Sequence, residues 1–229
     1  MFKRLKTVFG AVTHAPEDVA PDNDIWRWAL EQGFDYTQPA ASRGEAFTLT
    51  RKSGALASKL ELGPSSRDFI RGLELRGRAE LGPFGDVSVV VMNRALKDAL
   101  EKIAYAQYTD TLQTVVDQVM TEELRWLAMY PEFGWDGPDA DFWERYAVMA
   151  DTREHAVKWL TPELADLLLD WPPPSPSAQV PLMLMLLRGK CFLRMEYSPA
   201  GLSTLAHASS LLACASASAL DNLSTDIVL

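Results

Sequence analysis

An α+β fold, with antiparallel sheets packed against helices, is predicted by three features of this 229-residue sequence. The first is a period-two run. From Asp68 to Leu81 one parity reads Phe69, Arg71, Leu73, Leu75, Gly77, Ala79 and Leu81, while the other reads Asp68, Ile70, Gly72, Glu74, Arg76, Arg78 and Glu80. Such alternation marks a strand with one face in the core and one in water. The second is Thr161-Pro162-Glu163, which supplies an N-cap, a proline at the first helical position and an acid in the first turn. The third is a hairpin: apolar Leu182 to Leu187, a turn at Arg188-Gly189-Lys190, then Cys191 to Tyr197. In its second strand Cys191, Leu193, Met195 and Tyr197 point inward, and Lys190, Arg194 and Glu196 outward.

Along the chain, residues 1–23 read as an arm, basic at Lys3, Arg4 and Lys6 and acidic with prolines from Ala15 to Asn23. The basic residues are interleaved with Phe2, Leu5 and Phe9 instead of preceding them, unlike a secretory signal, so a cytoplasmic location is expected. At helical spacing those three apolar residues share a face. It would make a weak membrane-surface contact through residues 2–9, against the competing reading of a short helix packed on the domain. Asp22 or Asp24 then caps a helix carrying Ile25, Trp26, Ala29 and Leu30 inward, and Gly33 ends it. Two strand-like runs precede Asp68, separated by turn chemistry at Lys52-Ser53-Gly54 and Gly63-Pro64-Ser65-Ser66. After Gly82-Pro83-Phe84-Gly85, Val87 to Met92 is apolar on both parities, as an interior strand is. These four runs are expected to form one meander. Asn93 would cap a long helix carrying Leu96, Leu100, Ile103, Tyr108, Leu112, Val115, Val116 and Val119, broken near Thr109. Thr121 with Glu122 and Glu123 starts another, its acids at the positive end of the dipole.

The Gly-, Pro- and Asp-rich segment 132–141 reads as a loop between a first unit, 24–131, and a second, 142–229. The second opens with strand-like Phe142 to Ala150 and continues through Thr152 to Leu160. A helix follows with Leu164, Leu167, Leu168 and Trp171, halted by Pro172-Pro173-Pro174-Ser175-Pro176. Ser198 to Leu220 contains no charged residue and has the length of a membrane span. Its Ser203, Thr204, His207, Ser209, Ser210, Ser216 and Ser218 would need partners in hydrocarbon, so it reads instead as a helix leaning Leu202, Leu205, Leu212 and Leu220 on a sheet. Each unit has a strand followed by a leucine-patterned helix, 87–104 and 146–171, which makes two related α+β halves one reading of the pattern.

The segment Phe142-x-x-x-Tyr146-x-Val148, then Ala156, then Leu160-Thr161-Pro162-x-Leu164, an apolar strand, Gly189 and a second strand resembles the C-terminal part of an uncharacterised bacterial family. Its members look like membrane-tethered proteins with a small α+β domain of unknown function. The resemblance spans 142–197 and implies an α+β domain without catalytic residues. The tether is not expected here, because the strongly apolar N-terminal spans of that family have no counterpart in this sequence.

Chemistry is sparse. A net charge of −9 and a pI near 4.9 speak against nucleic acid as a partner, since that affinity comes from clustered Lys and Arg. Cys191 and Cys214 are too few for a disulfide framework and read as reduced, buried thiols. His14, His155 and His207 lie far apart, no glycine-rich phosphate loop follows a strand, and no serine sits in a Gly-x-Ser-x-Gly elbow; no metal, cofactor or catalytic residue is predicted. Two clusters remain. Asp151 and His155 would serve as an acid/base pair if a cleft opened beside them, against the simpler reading of a turn and helix start. Arg71, placed by parity among core residues, demands a partner, and with Arg67, Arg76 and Arg78 would form an anion site. In the competing reading Arg71 pairs with Glu61, Arg76 and Arg78 pair with Glu74 or Glu80, and a bulge at Gly72 reverses the parity. The leading functional reading is a non-enzymatic protein-binding or assembly module with a protein partner. It rests on the missing chemistry and on seven tryptophans, among them Trp26, Trp28, Trp126, Trp135 and Trp143, as a source of exposed aromatic surface. The alternative is an enzyme or small-anion receptor using Arg67 with Arg71, or Asp151 with His155.

Overall fold

Alternation and unbroken apolar runs resolve into strands of one sheet. A computed structural model describes residues 24–39, 46–52, 57–82, 86–111 and 121–223. The strands are β1 (Asp35–Thr37), β2 (Phe47–Arg51), β3 (Ser58–Pro64), β4 (Leu73–Glu80), β5 (Ser88–Asn93), β6 (Glu132–Phe133), β7 (Tyr146–Ala150), β8 (Leu182–Leu187) and β9 (Lys190–Glu196). They lie in the order β1-β2-β3-β4-β9-β8-β5-β7-β6, and every neighbouring pair is antiparallel. The helices are α1 (Asp24–Glu31), α2 (Arg94–Thr111), α3 (Glu122–Met129), α4 (Ala140–Arg145), α5 (Arg153–Trp159), α6 (Pro162–Leu169) and α7 (Leu202–Leu223). The protein is α+β.

The expected four-strand meander is corrected in one respect. β4 and β5 are consecutive in sequence but not neighbours, because the hairpin of β8 and β9 lies between them. Burial explains the arrangement. Val89, Val90 and Val91 of β5 are all inaccessible, as are Met183 and Leu184 of β8, so both strands need a partner on each side and a cover on each face. Residues 24–131 and 142–229 thus contribute to the same sheet. The hairpin turns on Arg188 at φ +50° and Gly189 at φ +70°, a pair of left-handed residues matching the twist of the flanking strands.

The two faces of the sheet are covered unequally. On one, Leu49, Leu60, Leu75, Val89, Val91, Leu184 and Leu193 join a core completed by α5, α6 and α7. Trp159 is wholly buried there, and its Nε1 donates to the Ala215 carbonyl at 2.8 Å while Ser218 Oγ donates to the Trp159 carbonyl at 2.6 Å. Gly77 marks the close approach of α7: a Cβ at this position would stand 3.0 Å from Leu212 Cδ2, 3.1 Å from Leu193 Cβ and 3.2 Å from Leu60 Cδ2. On the other face Val90, Met92, Met149, Met183 and Met185 pack beneath Leu96 and Leu100 of α2 and Leu124 of α3. That cover thins beyond β8, where the first turn of α3 reaches β9 through Glu123 and Arg194. Further out, β2, β3 and β4 carry Thr48, Thr50, Lys59, Glu61 and Arg78 on a face against which no helix packs extensively among the described residues.

Local signals decide most helix boundaries. Thr121, Thr152 and Thr161 each accept a backbone N–H from the first turn of α3, α5 and α6, and Pro162 opens α6 as expected. Gly33, at φ +72°, ends α1. Asn93 immediately precedes α2, and its side chain is engaged elsewhere. Its Nδ2 donates to the Ala178 carbonyl and its Oδ1 accepts from Leu182 N, so it ties β5 to the entry of β8. Phe142 to Ala150 is not strand throughout: α4 occupies its first part, with Phe142 packed on Tyr146, and the strand begins at Tyr146. The aromatic residues that suggest a strand there are in fact core contacts of a short helix. The 132–141 loop holds the two-residue β6 and the first two residues of α4. Ser198 to Leu220 forms most of α7, with Leu205 and Leu212 buried and Leu202 and Leu220 at the margin. No helix among the described residues is long and apolar enough to cross a membrane. The arm 1–23, including Asp22 and the Phe2, Leu5, Phe9 face, and the expected helix beyond Thr111 up to residue 120 lie outside the described residues.

Candidate functional site

The four arginines expected to bind an anion do not act together. Arg71 is exposed, not in the core, and among the described residues only its backbone N–H is engaged, donating to Glu196 Oε2 at 2.7 Å. The parity fails because the strand starts at Leu73. Gly72 sits at φ +86°, and Arg67 to Ile70 close a turn in which Ile70 is the buried residue. Arg78 pairs with Glu80, the partner the competing reading names, but within its own strand and not across strands. Arg67 and Arg76 enter an ion network with Arg194 of β9 that sequence spacing does not bring together. Glu123 Oε1 accepts from Arg67 Nε at 2.7 Å and from Arg194 Nη1 at 3.0 Å. Glu74 Oε1 lies 2.9 Å from Arg194 Nε but off its N–H direction, an ion pair without a hydrogen bond, and Glu74 Oε2 is 3.9 Å from Arg76. Glu122 lies 3.5 Å from Arg67.

The side chains of Glu74 and Glu123 are each only 1% exposed. Three carboxylates face three guanidiniums, so the network is balanced and leaves no cation over for a ligand. Burial pulls the Arg194 guanidinium below its ordinary value, countered chiefly by Glu74 and helped by the charge of Arg67; it remains protonated at any physiological pH. What the network does is hold the N-terminal turn of α3 against β4 and β9.

With α3 fixed, a groove of about 520 Å³ runs between it and the β8–β9 hairpin. Trp126, Met129 and Tyr130 form one wall, Met185, Leu187 and Phe192 the floor, and Arg125, Arg188, Lys190 and Arg194 the cationic groups. Lys190 is paired with Glu80 at 3.6 Å and Arg194 with the network, but neither Arg125 nor Arg188 has an ion pair among the described residues. Met129 is 63% exposed, among the most accessible large apolar side chains. Sequence reading missed this site because its parts come from three separated stretches. The signal available was the exposed pair Arg125 and Met129, one helical turn apart.

Asp151 and His155 do come together, Nδ1 to Oδ1 at 2.9 Å. The geometry is that of a turn. Asp151 Oδ2 accepts from Ser88 N at 3.2 Å and Oδ1 from Thr152 N at 2.7 Å, so the carboxylate is committed to the junction of β5 with β7 and the start of α5. Among the described residues no three His, Cys, Asp or Glu side chains gather as a metal site would need. The tryptophans are not the expected exposed surface: Trp159 and Trp171 are buried, and the other five are at least partly covered, Trp28 stacking on Phe34 and Trp135 meeting Trp143 edge-on at 5.0 Å. Trp126 alone contributes to the groove.

Both thiols are free. Burial pushes Cys191 up to about 12, and burial with the nearby Glu163 charge pushes Cys214 up to about 11. Since the thiolate is the nucleophile, at pH 8 only about one Cys191 in ten thousand is reactive. Iodoacetamide at that pH should leave both thiols of the folded protein unmodified within an hour-scale exposure and label both in guanidinium, counted by mass spectrometry. Labelling of Cys191 under native conditions would contradict this.

No family model and no curated protein matches the chain. Among solved structures, the mycobacterial trehalose monomycolate transport factor A aligns with 84% of this chain and 90% of its own, at 8% identity and a TM-score of 0.46.

Proposed function

We propose that this protein is a non-enzymatic binding module whose groove between α3 and the β8–β9 hairpin docks an acidic, partly apolar segment of a protein partner. The observation that carries this reading is the pair of arginines, Arg125 and Arg188, that have no ionic partner among the described residues and flank an aromatic and methionine floor on a protein of net charge −9. Local positive potential on an acidic surface selects for position as well as charge. At physiological salt the field reaches only about 8 Å, so the remaining acids of the molecule do not cancel it at contact distance. Arginine, methionine and aromatic side chains are also the residues enriched where proteins meet, and methionine adapts its shape to different apolar groups.

A labelled degenerate library of acidic peptides containing Phe and Leu should bind the protein with Kd in the micromolar range, read by fluorescence polarisation. A library with Lys in place of the acids should not bind. Arg125→Glu with Arg188→Glu should weaken the acidic library by more than about tenfold, and raising salt from about 50 to 300 mM should weaken binding to the native protein several-fold. Equal binding of both libraries, or a double variant that binds as well as the native chain, would dispose of the proposal.

A further inference from the structure

We propose a second, separate binding site: the cavity between α7 and the β2–β4 end of the sheet takes a small amphipathic monocarboxylate, with Arg51 as its anchor. The cavity measures about 350 Å³, room for roughly a dozen heavy atoms at liquid density. Three of the four α7 residues that line it, Ser209, Ala213 and Ser216, are small, and larger side chains there would close it. Its walls are Phe34, Leu60, Ala79 and Leu212, so the body of the ligand is apolar.

Arg51 sets the head group. Its guanidinium lies 4.1 Å from the centre of the Phe34 ring, and Nη2 donates to the Gln32 carbonyl at 2.8 Å, which fixes the plane of the group. Nε is screened from water and has no acceptor, and no carboxylate pairs with this arginine among the described residues. A planar, permanently charged fork held in place and left without a carboxylate partner matches a carboxylate. A dianion such as a phosphate would need a second cation, and among the described residues none lines the cavity. The remaining polar residues of the lining are Gln32, Ser58, Ser209 and Ser216, and Ser216 Oγ already donates to the Leu212 carbonyl.

Isothermal calorimetry of the full chain with octanoate, octanol and octylammonium tests the assignment. Octanoate should bind once per chain with Kd on the order of 100 μM, octanol at least about tenfold more weakly, and octylammonium not at all. Arg51→Met keeps the apolar stem and should remove the preference for octanoate over octanol. Ala213→Phe places a ring at an exposed helix position on the rim, so it should leave folding intact by circular dichroism and block octanoate and octanol alike. The proposal is overturned if octanoate gives no heat up to about 100 times that concentration, if octanoate and octanol bind the native chain equally, or if Arg51→Met or Ala213→Phe leaves the octanoate affinity unchanged. These ligands do not address the groove beside α3, so the outcome here stands apart from the peptide measurement.

Discussion

Arg194→Met should destabilise the protein by about 3–5 kcal/mol, the cost of breaking a buried ion pair by removing one partner. The arginine bridges two carboxylates that water scarcely reaches, Glu74 and Glu123. Once it is gone, Glu123 keeps Arg67 at 2.7 Å, but Glu74 is left with Arg76 at 3.9 Å, too far for a hydrogen bond. Methionine preserves the stem that packs against the sheet, so the loss reports on charge and not on a cavity. Urea denaturation followed by circular dichroism measures it, and an unchanged m value would show that the unfolded state is not the source. A second substitution separates the mechanism from general damage. Arg194→Met combined with Glu74→Gln removes the stranded charge and should recover more than half of the loss. A single variant within about 0.5 kcal/mol of the native protein, or a double variant worse than the single, would refute the account.

Gly77→Val should cost about 3 kcal/mol, the upper end of the range for overpacked cores. The first added carbon would already stand 3.0 to 3.2 Å from three side chains, and one of those atoms is Leu193 Cβ, which moves only with its strand. Two more methyl carbons follow. Because β4 is paired on both sides, with Leu60 and Leu193 directly opposite, the backbone cannot step aside, and the strain must lift α7. For a chain of this length the midpoint of thermal unfolding should fall by roughly 6–12 °C. Gly77→Ala should show a smaller loss of the same sign, and Leu212→Ala in the Gly77→Val background should relieve part of it, since Leu212 Cδ2 is the nearest of the three atoms. A valine variant as stable as the native protein would mean that α7 does not seat as described.

Much of the architecture is readable from the chain because local chemistry repeats the global arrangement. Leu75, Gly77 and Ala79 face the α7 side, Cys191, Leu193 and Met195 do the same one strand away, and Thr161-Pro162 opens α6. Periodicity says which face a residue occupies but not which strand lies beside it. The unbroken apolar run of β5 therefore announces an interior strand while giving no hint that its neighbour is β8. Arg71 shows the complementary limit: extrapolating alternation across Gly72 carries the pattern through a left-handed residue, where it no longer holds. The site is less legible than the fold. Arg67 looks available in sequence because Glu123, which engages it, is distant, and the groove combines α3, the hairpin turn and β9.

The insertion of the hairpin has a consequence for how the protein is made. A ribosome releasing the chain from its N-terminus delivers β4 and β5 long before Leu182 to Glu196, so for that interval two hydrophobic strand borders lack the ladder that will join them. Closing the sheet waits on contacts between residues more than a hundred positions apart, such as Leu75 with Met195, which places maturation on the slow side and gives holdase chaperones a natural window. It also means that cutting the gene at the 132–141 segment would yield two pieces that each carry half of an unfinished sheet.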